Sequence, residues 1–269
     1  FWMPEERDPP ERTFMQWPVS RAVHPDPQFL DMLQQSIADV ANAIAAFEPV
    51  VMLMDKKFEK AARRQLSDAV TIWNIPTDDL WCRDAGPCFV RNQAGDLAIR
   101  HFNFNGWGNK QVHGHDGRIA AAVAERLGLR LLDNGLVGEP GGLESDGEGT
   151  VIAHESSWVI DNRNSGSKAE IEAKMLEAVG GTKLIWAPGV KGQDITDYHI
   201  DALARFTEPG TILIQLPDEE DAEDDPFAAS AFETHDILAA ASDAGGRTFE
   251  MVVLPQPYDI RVQAEDFVA

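Results

Sequence analysis

Apolar positions recur along the chain in two periods, and the change from one to the other marks the elements. From Asp26 and Pro27, which suit a helix start, apolar residues at helical spacing run to about Phe47, and the unbroken "VVMLM" at 50–54 reads as a buried strand. A second helix is expected at about 56–67 and a strand, "TIWNI", at 71–75, ahead of the polar stretch "PTDDLWCRDAGP". "CFVRN" and "LAIRHFNF" read as strands joined by "QAGD", whose Gly and Asp suit a tight hairpin.

The same order then returns. Helix "GRIAAAVAERLG" is followed by strand "LRLL", the polar "GEPGGLESDGEG", and strands near "TVIAH" and "SWVID". Helix "SKAEIEAKMLEAVG" is followed by strand "KLIWA", the polar "GVKGQDITDYH", and a hairpin "IDALARF"-"TEPG"-"TILIQL". A fourth cycle opens with a helix around 230–243 and strand "TFEMVVLP", 248–255, but the last residues, "RVQAEDFVA", supply no hairpin. At the other end, "RTFMQWP", 12–18, reads as a strand with no partner beside it in sequence. A ring of modules closed by pairing its two ends accounts for both, because an open ring leaves unpaired sheet edges. The expectation is a C-terminally shortened version of a larger ring.

Charge narrows the partners. Forty-five acidic residues against 23 basic ones give a formal charge of -22, a field that repels nucleic acid and anionic lipid and draws in cations. Most of these acids suit solvated surface, as in the loop "PDEEDAEDDP" at 217–226. No run reaches the roughly 18 apolar residues of a membrane span, and "FWMPEERDPP" has neither a basic segment nor an apolar signal core. Two cysteines, Cys82 and Cys88, match neither a disulfide framework nor a metal spacing. They fit a reducing compartment, and the location is read as cytoplasmic.

The polar segments fall at corresponding places in the modules, so their acids and histidine should meet near the ring axis. The candidates are Asp84 in "WCRDAGP", Glu139 in "GEPGG", and His199 with Asp201 in "ITDYHID". In a strand, residues two apart share a face, which would aim His199 and Asp201 into one space. The same pattern fits a surface strand with two polar side chains. Glu139 lies among glycines, where the backbone can approach a ligand, but such an acid is also an ordinary loop feature. Asp84 could equally pair with Arg83 or cap a turn. Trp107, between two glycines, and Trp81 could each cover a ligand, whereas Trp73, Trp158 and Trp186 read as core.

Together "ERTFMQWP", "WCRDAGP", "FNFNGWGNK", "DGEGT" with "NRN" shortly after, and "PGVKGQDITDYHIDALARF" resemble the agmatine deiminase and bacterial peptidyl-arginine deiminase family of the guanidine-modifying, or pentein, superfamily. The likeness runs from residue 2 to about 260 and rests on the order and spacing of the motifs. It implies an α/β, pentein-type propeller of pseudo-symmetric ββαβ modules over residues 1–269 as one domain, lacking its C-terminal part. It also implies hydrolysis of a small cationic guanidino substrate with no metal or organic cofactor; assembly into a homo-oligomer is left open. Agmatine, with N-carbamoylputrescine and ammonia as products, is the first substrate expected, and peptidyl-arginine or another guanidino compound the second. By this resemblance Asp84 and Asp201 hold the guanidinium, while Glu139 and His199 are acid/base partners.

Two departures from the family pattern are Pro140, where the family carries glycine, and Arg7, where it usually carries an aromatic. A third concerns the nucleophile: the family's cysteine lies in a glycine-rich C-terminal segment that nothing here matches, so it is expected outside these residues. Two other classes stay open: a guanidine-binding protein without turnover, and a metal hydrolase built on Asp84, Glu139 and His199.

Overall fold

The computed structural model describes residues 1–218 and 224–256. Strand β1 (Thr13–Gln16) leads through α1 (Pro27–Ile44) to β2 (Val50–Met54), and α2 (Lys56–Ala62) leads on to β3 (Val70–Asn74). These strands form one parallel sheet in the order β1-β2-β3. A one-turn helix α3 (Cys82–Ala85) precedes the hairpin β4 (Cys88–Arg91) and β5 (Leu97–Arg100). The irregular turn α4 (Gly106–Asn109) and helix α5 (Ile119–Leu127) follow, and β6 (Arg130–Leu132) returns parallel to β5.

The arrangement then repeats. The hairpin β7 (Leu143–Ser145) and β8 (Thr150–His154) continues through α6 (Glu155–Trp158) and α7 (Lys168–Val179) to β9 (Lys183–Ala187), parallel to β8. The hairpin β10 (Ala204–Glu208) and β11 (Thr211–Leu216) continues through α8 (Pro226–Ala240) to β12 (Glu250–Pro255), parallel to β11. Each of these three sheets is thus a hairpin whose second strand crosses over through a helix to a parallel third. β1, α1 and β2 repeat that crossover. Among the described residues, β1 has no antiparallel partner of the kind that β5, β8 and β11 have.

Local chemistry sets the helix ends. Asp26 caps α1 by accepting the Gln28 N–H at 2.8 Å, with Pro27 at the first position, where no amide hydrogen is needed. Ser167 and Glu170 cap each other's backbone at the start of α7, and Gly180 ends it in the left-handed region at φ 67°. The fully buried strands "VVMLM" and "TVIAH" are central in their sheets, hydrogen-bonded on both edges. Four apolar clusters pack between sheets and helices; Trp158 is 1% exposed in the second of them. Trp73 is also buried, while Trp186 is only partly so and donates its indole N–H to Glu172.

Several expected elements shift. "SWVID" is not a strand: Glu155–Trp158 form α6, and the partner of "TVIAH" is the three-residue strand "LES" instead. Leu143, Glu144 and Ser145 are all buried, but a strand that short, with a charged residue in it, reads as loop. Residues 200–202 form a 3-10 turn, so the strand of "IDALARF" begins only at Ala204. "RTFMQWP" does have a partner, β2, reached through α1. The final helix runs Pro226–Ala240, four residues earlier at its start than expected around 230. The end "RVQAEDFVA" and the middle of the acidic loop lie outside the described residues.

Candidate active site

The polar segments stand at equivalent points, each immediately before a hairpin: α3 before β4, the 3-10 turn 140–142 before β7, and the 3-10 turn 200–202 before β10. These three turns pack on one another and bring Asp84, Glu139, His199 and Asp201 together. How closely they meet is shown by a missing side chain. A Cβ at Gly141 would lie 2.6 Å from Asp84 Oδ1, 2.8 Å from Asp201 Oδ2 and 2.8 Å from His199 Nδ1. Glycine is required there by that approach, not by a left-handed backbone. Pro140 occupies the first position of its turn and leaves the glutamate's strand-like backbone, φ -132° and ψ 135°, undisturbed.

His199 lies between two acids, its Nε2 3.2 Å from Glu139 Oε2 and its Nδ1 3.6 Å from Asp84 Oδ1. Burial disfavours its charged form, but the hydrogen bond it donates to Glu139 and the charges of Asp84, Glu139 and Asp201 outweigh that and raise its pKa. For Asp84 the balance goes the other way from an ordinary carboxylate: burial, against the relief of His199 and with the repulsion of Glu139, lifts it to about 6. Its other oxygen accepts the Trp107 indole N–H at 2.9 Å. Asp201 is the more open acid, with 19% of its side chain exposed and Arg83 Nε 3.3 Å away, so the site opens on that side. Arg83 and Arg205 also share Glu144 and Glu6.

Expectation and structure differ in their reasons more than in their residues. His199 and Asp201 do face one space, but through the 3-10 turn and not through strand alternation. Trp107 is not an exposed cover: it is 2% exposed, in a left-handed backbone at φ 55°, and its ring holds Asp84. Trp81 is 52% exposed at the start of α3. Arg83 pairs with Glu6, Glu144 and Asp201, leaving Asp84 to Trp107 and His199. Arg7, the departure near the N-terminus, pairs with Glu5 and Glu208.

Neither thiol suits attack. Cys82 and Cys88 are both unpaired, and burial pushes each up to about 12, with the Asp116 and Asp84 carboxylates adding to the effect at Cys82. Among the described residues no group of three or more His, Cys, Asp or Glu side chains is disposed to hold a metal. Nor is any helix among them long and apolar enough to cross a membrane.

Comparison with known proteins agrees with the geometry. Residues 2–269 match the family described as Porphyromonas-type peptidyl-arginine deiminase. The chain belongs to that family. A Streptomyces coelicolor protein named "Putative agmatine deiminase" is 36% identical over 264 residues, which cover 96% of this chain and 77% of that one. Among solved structures, an agmatine deiminase of Enterococcus faecalis superposes with a TM-score of 0.87 at 28% identity, covering 96% of this chain and 72% of the other. A C. jejuni agmatine deiminase, solved as a cysteine-to-serine variant with substrate bound, gives 0.78 at 25% identity over 95% and 72%. The fold is the pentein arrangement, and the family hydrolyses C–N bonds of amidines.

Two contributors to this peptidyl-arginine deiminase-family site carried no assigned role in the sequence: Arg163 in "NRN" and Asp197 in "ITDYH". Both are buried and paired with each other, and Arg163 pairs with Glu139 as well. Their signal was faint, a charged residue inside a polar segment that otherwise resembles a loop.

Proposed function

We propose that this chain is a guanidine-modifying domain over residues 1–269 that deiminates agmatine to N-carbamoylputrescine and ammonia. The observation that carries the reading is the convergence of Asp84, Asp201 and His199 on the bare α-carbon of Gly141, with Glu139 behind the imidazole. A guanidinium is flat and cationic, so two carboxylates can take its N–H groups in pairs and fix its carbon for attack. The names of the related proteins favour agmatine over peptidyl-arginine. Two unpaired thiols fit a reducing compartment, the cytoplasm in this reading.

In this scheme a cysteine thiolate from outside the 269 residues forms an S–C bond to the guanidinium carbon. The C–N bond breaks, and His199 gives the departing ammonia its proton. Water then adds to the carbon while His199 takes one of its protons, and the S–C bond breaks to release the ureido product and the thiolate as the second proton passes to the ammonia. The high proton affinity of His199 suits the first of these transfers. The relatives' additional length leaves room for such a cysteine, since the matches cover 77% and 76% of two of them.

The thiols of Cys82 and Cys88, pushed up to about 12, favour a second reading: a guanidine binder without turnover. Incubating the full-length gene product with agmatine separates the two. Ammonia and N-carbamoylputrescine in equal amounts, lost in His199→Ala with the circular dichroism spectrum unchanged, are expected. Wild-type turnover by that variant removes the role given to His199, and binding without any product selects the second reading.

A further inference from the structure

The Arg163 side chain is completely buried, and each of its polar contacts falls on a segment that builds the site. Its Nε lies 3.0 Å from both oxygens of Glu139. Nη1 donates to Asp197 Oδ2 at 2.7 Å, and Nη2 to the Thr196 carbonyl at 3.0 Å. Asp197 and Tyr198 both take left-handed backbones, φ 60° and 67°, and the chain runs from them directly into His199. Such angles are uncommon for aspartate and strained for tyrosine, so surrounding contacts must hold them. One guanidinium therefore grips the acid on one side of the imidazole and the backbone that carries the imidazole on the other.

Stability alone does not explain that arrangement. A cation buried with two carboxylates roughly breaks even against its desolvation cost, and apolar residues of similar volume often do as well. What a planar fork of donors supplies is position. Lys110 adds to it from the loop carrying Trp107, with Nζ 2.7 Å from the same Asp197 oxygen. A chain of charged contacts thus runs from Lys110 through Asp197, Arg163 and Glu139 to His199.

We infer that Arg163 is a positioning residue for proton transfer: acting through Glu139 and Asp197, it holds the Glu139 carboxylate in place as the acceptor on His199 Nε2 and so leaves Nδ1 facing Asp84 and Gly141. This rests on the deiminase reading only for what His199 does with its proton; the pairing itself is independent of it. Deprived of Arg163, Glu139 and the backbone of 196–198 lose the fork that orients them, the 3.2 Å contact between Glu139 Oε2 and His199 Nε2 loosens, and His199 binds its proton less well. The other charged or titratable groups about His199 are Asp84, Asp201 with Arg83 beside it, and the His154 imidazole.

Histidine-labelled NMR on the full chain tests this, with the His199 resonance identified by its loss in His199→Gln. Arg163→Met is expected to lower the proton affinity of His199 at least about tenfold and to populate the Nδ1–H tautomer. Arg163→Lys, which retains the charge without the fork, should give a smaller shift in the same direction. Glu139→Gln should reproduce the shift, and adding Arg163→Met to it should change nothing more, because Glu139 is the mediator. A His199 titration unaltered in folded Arg163→Met, or shifts that add in the double variant, overturns the inference. If Arg163→Met does not fold, an unaltered titration in Arg163→Lys overturns it equally. Absence of agmatine turnover in the wild type would remove the functional reading and leave these titrations to decide this one.

Discussion

A single hydrogen atom at Gly141 keeps the site open. Gly141→Ala would place a methyl carbon within 2.8 Å of Asp84, Asp201 and His199, two of which are held in place, His199 by Glu139 and Asp84 by Trp107. Expected is loss of measurable agmatine binding by calorimetry together with a lower melting temperature, because Asp84, Asp201 or His199 must shift to admit the methyl. Binding that survives within a factor of two would place the guanidinium elsewhere. Asp84→Asn is milder. It turns one charge-assisted contact into a neutral one, worth roughly 1.5–3 kcal/mol, so the dissociation constant should rise at least about tenfold.

Asp84 also gives the binding a pH dependence whose sign can be worked out. Its carboxyl is lifted to about 6 in the folded protein, from an ordinary value of 3.8. Above 6 it is ionised and ready for a cation. Below 6 it holds a proton that a guanidinium must displace. Affinity for agmatine should therefore be flat above neutrality and weaken up to about tenfold per pH unit below 6. Asp84→Asn should lose that break, and a wild-type affinity constant from pH 7 to pH 5 would contradict the assignment.

Asp116 acts on whole elements. Buried just ahead of α5, it accepts the backbone N–H groups of Asp78 at 2.7 Å and Asp79 at 3.1 Å, tying the segment that leads to Asp84 back to the α5 side. Burial, partly offset by these bonds but aided by the charges of Asp78 and Asp79, raises it to about 7. A carboxyl raised on folding contributes stability that is fully present below its unfolded value of 3.8 and is lost as pH climbs through 7. Thermal melts of wild type and Asp116→Asn should show the wild type's relative advantage shrinking between pH 4 and pH 7. Parallel curves over that window would mean that Asp116 stays ionised throughout.

Elements also show what could be read beforehand. Amphipathic helices and five-residue apolar strands announced themselves, because burial of a whole face or of both faces leaves a period. "LES" did not, since its burial depends on Glu144 meeting Arg83 and Arg205 from distant segments. The acids and histidine were legible because each stands in a polar segment at the same place in its module. Arg163 and Asp197 were not, because a buried charge is recognisable only with its partner, and these partners are 24 to 34 residues away in sequence.

At the scale of the molecule, the charge of -22 surrounds the site proposed to bind a cation. The two act over different ranges. Contacts at Asp84 and Asp201 lie within a few ångströms and are scarcely screened, whereas the field of the surface acids is cut off at about 10 Å in 0.1 M salt and about 3 Å in 1 M. Stopped-flow tryptophan fluorescence, with Trp81 and Trp107 near the site, can follow agmatine association as salt is varied. The association rate should fall roughly 3- to 10-fold from 10 mM to 0.5 M salt, as expected of steering by a surface opposite in charge to the ligand. Asp84→Asn should shift dissociation at every salt concentration and leave the slope of the association rate nearly unchanged. Charge-neutralising changes on exposed acids such as Asp31, Asp39 and Asp68 should do the reverse, flattening that slope while the off-rate holds. An association rate indifferent to salt would confine the attraction to the pocket and make the surface acids irrelevant to capture.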